Sequence, residues 1–185
     1  MVVCSPMCTA FSQMQNINKN RRDPEVIKRE LDDAKDHLRF VMSICATQLR
    51  EHRYFLFEHP DGASSWQMAE VKKLAAADCV ETINMDMCAF SMTEIGEDGV
   101  RRPVQKATRV LTNSPEVALR IARRCPNRGS DQGLHHIHCK LEGGKRCKRA
   151  QVYPRAFCRT VCEGVAAQKK HDSLNLSALV PMDVE

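Results

Sequence analysis

Arg53-Tyr54-Phe55-Leu56-Phe57-Glu58-His59-Pro60 decides the fold. Its centre is apolar without a break, and a carboxylate, an imidazole, a proline and then Gly62 follow. An uninterrupted apolar run closed by turn signals reads as a strand. Upstream, Val26, Ile27, Leu31, Ala34, Leu38, Val41, Met42, Cys45 and Leu49 recur at steps of three and four. That is the stripe of an amphipathic helix from Glu25 to about Arg50, opened by Asp23-Pro24 because proline fits a first helical turn. Before it, Val2-Val3-Cys4 is a short strand stopped by Ser5-Pro6. After it, Ser65 to Ala77 reads as a second helix with Ser65 as N-cap. Val80 to Met92 is a third strand, Glu94 to Pro103 a polar loop, and Thr108 to Leu111 a fourth strand. Asn113-Ser114-Pro115-Glu116 opens a helix to about Arg124, and Pro154 to about Ala167 is a last short helix. Strands alternating with helices predict βαβ units, a mainly parallel sheet and the α/β class.

Composition narrows the function. With 43% hydrophobic residues among 185, a core can form and wholesale disorder is excluded. Aromatics at 5% argue against a protein built on base-stacking platforms. No run of 18 apolar residues exists, so no membrane partner is expected. The opening MVVCSPMCTAF lacks the basic start of a secretory leader, and an intracellular location, nuclear or cytoplasmic, is expected. In that setting the ten cysteines read as thiols, metal ligands or a nucleophile rather than disulfides. The net charge of +5 is uneven. Residues 1–100 balance at −5, residues 101–170 carry 17 Lys+Arg against 4 Asp+Glu for +13, and residues 171–185 add −3. A 70-residue stretch at +13 has the electrostatic footprint of a surface that meets a polyanion. The chain thus divides into an α/β segment (1–124), a basic Cys/His-rich loop with the last helix (125–167) and a flexible tail (168–185).

In an α/β sheet, ligands sit at the carboxyl ends of strands. Two such ends are chemically loaded: Cys4-Ser5-Pro6-Met7-Cys8-Thr9-Ala10-Phe11-Ser12, and Phe57-Glu58-His59-Pro60. A cysteine on a proline-stiffened loop after one strand, and a carboxyl after the next, resembles the cytosine-C5 DNA methyltransferases. Their signature is Pro-Cys followed by a nearby Ser, then Glu-Asn-Val. Downstream, Asp86-Met87-Cys88-Ala89-Phe90-Ser91-Met92 is similar to the segment before that family's Gln-x-Arg-x-Arg. Gln105-Lys106-Ala107-Thr108-Arg109 matches its Gln and second Arg, and Val152-Tyr153-Pro154 resembles its late Val-Pro segment. The ensemble looks most like methyltransferase-like segments of phages and retrotransposon polyproteins, over roughly residues 1–165.

The resemblance implies the later strands of a Rossmann-like methyltransferase sheet with helices and a basic loop-rich extension. It implies Cys8 as nucleophile, Glu58 as acid and Arg109 as base-orienting donor, with Pro6, Ser12, Gln105 and Lys106 binding substrate. A thiolate adding to carbon 6 of cytosine turns carbon 5 into a nucleophile, and a carboxylic acid at N3 supports the addition. The target base must be flipped out of the duplex, so DNA is the implied partner. The family's cofactor is S-adenosylmethionine, held by a glycine-rich loop three strands before the cysteine loop. The eight glycines here, at 62, 96, 99, 129, 133, 143, 144 and 164, include no G-x-G and none precedes Cys8. The expectation is a truncated or degenerate enzyme, inactive alone, completed by a second chain or a longer product. The alternative is a non-catalytic basic nucleic-acid-binding module.

Cys125, His135, His136, His138, Cys139 and Cys147 lie within 23 residues. His136 and His138 would share one face of an extended segment, since strand side chains repeat every two residues. Cys125 or Cys147 would complete a tetrahedral zinc site with them, although the spacing matches no standard finger. Cys158 and Cys162, one helical turn apart, are expected to pack in the core.

Overall fold

The computed structural model describes residues 1–13, 22–127, 136–141 and 144–179. In chain order these form β1 (Val2–Cys4), α1 (Pro24–Arg50), β2 (Phe55–Pro60), α2 (Ala69–Ala75), β3 (Glu81–Asp86), β4 (Thr93–Ile95) and β5 (Arg101–Pro103). They continue with β6 (Ala107–Thr112), α3 (Pro115–Ile121), α4 (Gly144–Arg149) and α5 (Arg155–Leu179). The class is α/β, as the alternation of strands and helices predicts. Among the described residues no helix is long and apolar enough to cross a membrane.

The main sheet has four strands in the order β1-β2-β6-β3. β1 pairs parallel with β2, and β6 lies antiparallel to both β2 and β3. The expectation of a mainly parallel sheet is therefore corrected. A parallel pair needs a crossover that carries the chain back to the other end of the sheet. Between β3 and β6 no helix does so. A 3-10 turn (Met87–Phe90) and the β4–β5 hairpin fill the gap, and β6 starts at the end where β3 stopped, with Ala107 opposite Asp86. That hairpin lies where a polar loop was expected, closed by Gly96 N–H on Val100 O and by Gly99 at φ 76°.

Both faces of the sheet are covered, which is why the Phe55–Phe57 run is apolar throughout. Phe55 and Phe57 pack with Leu38, Met42, Trp66 and Leu74 under α1 and α2. Leu56, Ile83, Met85 and Val110 pack with Val117, Ile121, Phe157 and Val161 under α3 and α5. α5 is longer than its sequence pattern suggested, because polar residues in its second half are used inward. Gln168 is buried and its Oε1 accepts from Ser114 Oγ at 2.9 Å and Glu116 N at 3.2 Å, capping α3. Asp172 accepts from Tyr54 OH at 3.0 and 2.9 Å. Residues 168–179 are thus helix rather than tail, and the inward stripe of α5 is Phe157, Thr160, Val161, Gly164 and Gln168. That phase leaves Cys158 and Cys162 exposed, not packed as expected.

Candidate functional site

The parallel register sets Cys4 beside Phe57, so the next residues, Ser5 and Glu58, meet where β1 ends. Ser5 Oγ donates to Glu58 Oε2 at 2.8 Å. Tyr153, arriving from the turn before α5, donates to the same oxygen at 2.6 Å, with its own oxygen 2.7 Å from Ser5 Oγ. Glu58 is 3% exposed, and its other oxygen, Oε1, is buried with no hydrogen-bond partner among the described residues. The nearest cation is Lys106, whose Nζ lies 3.9 Å from Oε1 and donates to Ala150 O at 3.2 Å. Pro6, Cys8, Glu58, His59, Lys106 and Tyr153 line one cavity of about 180 Å³. Pockets for drug-sized ligands run to roughly 300–1,000 Å³, so this one suits a single ring rather than a nucleoside cofactor.

Local sequence explains the placement. Pro6 stiffens the loop after β1, and Cys8 precedes a 3-10 turn (Thr9–Phe11) in which Phe11 N–H returns to Cys8 O at 3.0 Å. Phe11 is buried against His59, ring centroids 5.7 Å apart, which anchors the cysteine loop on β2. His59 is wholly buried, and its Nδ1 lies 2.6 Å from Ser65 Oγ. Burial holds its imidazole well below the usual range, at about 4, against the opposing pull of Glu58, so it is neutral at physiological pH. Burial pushes the Cys8 thiol up, the Lys106 ammonium draws it down, and the Glu58 carboxylate raises it again. Burial and the adjacent Glu58 likewise keep the Tyr153 phenol protonated. Ser5 and Tyr153 lie in segments the sequence analysis quoted but were given no site role there, because their contacts span 53 and 95 positions to Glu58.

Of the residues assigned by resemblance, Pro6, Cys8, Glu58 and Lys106 come together in the cavity. Ser12 and Gln105 lie outside its lining: Ser12 caps the 3-10 turn through its amide, and Gln105 O accepts from Met87 N at 3.1 Å. Arg109 is also elsewhere. Its Nη2 is 2.6 Å from Asp61 Oδ1, its Nε donates to Asn84 Oδ1 at 3.1 Å, and its guanidinium covers the Trp66 ring at 4.9 Å. The cation at the cavity is Lys106.

A second constellation lies near the far end of β3. Cys88 from the 3-10 turn, Cys125 after α3, and His136 and His138 bring one ligand atom each within 4.8 Å of one another. Such a group could hold a metal ion. His136 and His138 do share a face, with Nε2 atoms 2.9 Å apart. Cys147 is not part of it; its thiol points at Leu141 O, 3.3 Å away, and Cys139 is buried in the core. His135 lies outside the described residues.

The basic stretch is partly neutralised by the fold. Arg102 pairs with Asp98, Arg109 with Asp61, Arg124 with Asp86, Arg146 with Glu97 and Arg149 with Glu94. The acidic partners all come from the first 100 residues, so much of the charge asymmetry along the chain is complementarity across it. Lys140, Lys145, Lys148, Arg155 and Arg159 remain exposed on and around α4 and the start of α5. Gln151 and Tyr153, which line the cavity, sit between those two helices in the chain.

No protein-family model matches the chain, and neither does any curated protein or solved structure with which it was compared.

Proposed function

We propose that the cavity is a pyrimidine-base pocket of a cytosine-C5 DNA methyltransferase-like segment, with Cys8 as the nucleophile and Glu58 as the group that meets N3. The observation that supports this best is the convergence of Cys8 and Glu58, 50 positions apart, on a cavity of single-ring size in which Glu58 Oε1 lacks a hydrogen-bond partner among the described residues. Lys106 is the third member. Its charge favours the thiolate of Cys8 and lies close enough to Glu58 to hold the carboxyl in place. Ser5 and Tyr153 orient Glu58 by fixing Oε2, which leaves Oε1 for the base.

The step these residues can perform is reversible addition. The Cys8 thiolate forms an S–C6 bond, the C5=C6 double bond opens, and C5 takes a proton from solvent. Loss of the original C5 hydrogen and expulsion of the thiolate restore the aromatic ring with no net oxidation. The residues do not fit the cofactor that the resemblance implies: no G-x-G stands in the chain, and the cavity is too small for a nucleoside sulfonium. No methyl transfer is derived from them. Within this proposal, a second chain carrying the cofactor-binding strands would add at β1, whose outer edge pairs with no strand among the described residues and whose Val3 is 55% exposed.

The test is hydrogen exchange. Duplex DNA tritiated at cytosine C5 should release tritium to water in the presence of the protein, and Cys8→Ala should abolish the release. Release that is absent, or that persists in Cys8→Ala, overturns the assignment. The raised Cys8 thiol and the exposed cations beside α4 favour one second reading, a basic module that holds an extrahelical base without chemistry. DNA binding without exchange would identify it.

A further inference from the structure

We propose that Cys88, Cys125, His136 and His138 bind one zinc ion as a closed structural centre, independent of the chemistry assigned to the Cys8 cavity. The geometry is that of ligands around a common point. Cys125 Sγ lies 3.4 Å from His136 Nε2 and 3.3 Å from His138 Nε2, and the two nitrogens are 2.9 Å apart. Three atoms in such a triangle cannot all be hydrogen-bonded. Each imidazole nitrogen carries at most one in-plane hydrogen, which points at one partner only. Lone pairs converging on a cation satisfy all three at once. Zinc bonds of about 2.3 Å to sulfur and about 2.0–2.1 Å to nitrogen, in a tetrahedron, separate S from N by about 3.5 Å and N from N by about 3.3 Å. The observed spacings are close to those.

The chemistry of the set selects the ion. Two thiolates and two neutral imidazoles cancel a divalent charge in a part-buried site, and S2N2 tetrahedra favour zinc. The surrounding groups orient the ligands, as outer partners of metal sites do. Asn127 N–H points at Cys125 Sγ at 3.4 Å, and Asn127 Nδ2 donates to His136 O at 2.6 Å. Asp86 Oδ2 accepts from Cys125 N at 2.9 Å. Four protein ligands leave no open position, so the centre is structural rather than catalytic. It joins the turn after β3, the exit of α3 and the segment 136–141. Binding free energy at such a site becomes folding free energy for the segment it ties down.

The experiment uses the full chain. The purified protein should hold one zinc per chain by elemental analysis. Replacement by cobalt(II) should give the visible d–d bands of a tetrahedral site and a near-ultraviolet thiolate-to-cobalt band. Cys88→Ser should cut that band to about half, and His138→Cys should keep the metal and raise the band to about one and a half times, following the count of thiolates in the site. Cys147→Ser should change nothing. If Cys88→Ser fails to fold, His138→Cys still decides. Substoichiometric zinc after incubation with zinc chloride overturns the proposal. So does a cobalt spectrum without charge transfer, or a band that His138→Cys leaves unchanged.

Discussion

Cys8 and Glu58 illustrate how much of a site can be read one strand end at a time. Each follows an apolar run, Cys8 after Val2–Cys4 and Pro6, Glu58 directly after Phe55–Phe57, and the parallel register of β1 and β2 brings both to one side of the sheet. Lys106 was named only through the resemblance, and it reaches the same edge because β6 runs antiparallel to β2 and starts beside Pro60. Arg109 does not, because alternation along β6 puts it opposite His59 and Asn84 and beside Asp61. Cys88 escaped because its partners are 37 or more positions away, beyond any finger-like spacing. Two expectations belong at this scale. The pH midpoint for alkylation of Cys8 by iodoacetamide, followed by peptide mass, should lie above that of an ordinary thiol. It should rise further in Lys106→Met and fall in Glu58→Gln, as the signs of the two charges require. His59 should make folding acid-sensitive. Its imidazole titrates near 6.5 when unfolded and at about 4 when folded, so the unfolded state binds more protons between those values. Stability is fully present above about 6.5 and is lost as pH falls to about 4, by about 3 kcal/mol. Denaturant unfolding across that window should show a flatter slope in His59→Gln.

At the scale of elements, the apolar runs and helical stripes were readable because each obeys one period. The direction of β6 was not, since it depends on what does not cross the sheet between Asp86 and Ala107. The length of α5 was hidden because Gln168 and Asp172 look like surface residues until the groups they cap are in place. α3 and α5 approach closely at Gly164. A Cβ on Gly164 would lie 2.8 Å from Val117 Cα and 2.9 Å from its Cγ2. Alanine gains about 1 kcal/mol in helix propensity over glycine, whereas overpacking against backbone costs about 1–3 kcal/mol. Because Val117 Cα cannot rotate away, Gly164→Ala should lower the unfolding free energy, by about 1 kcal/mol, and thermal unfolding should report it. An increase in stability would mean that the helices move apart at little cost.

For the whole molecule, the sequence suggested a basic half facing a polyanion, and the fold spends several of those cations on acids of its own first half. On the proposed reading, the cations that remain exposed around α4 are the ones that would meet DNA. Duplex binding should weaken linearly in log–log with salt, and Lys145→Ala and Lys148→Ala should each reduce the slope by about 1. Unchanged slopes would place the DNA contact elsewhere. The cavity has one further property that follows from the contact of Tyr153 with Ser5 across 148 positions. Most of its lining comes from the first 60 residues, but Lys106 follows far later in the chain, and Gln151 and Tyr153 come from its last quarter. During synthesis Glu58 and Cys8 therefore stay open to solvent until the C-terminal helix has docked. Long-range closure of this kind is slow and comes late. The pocket should be the last part of the molecule to form and the first to be lost, which makes Cys8 labelling a timer for the final folding step.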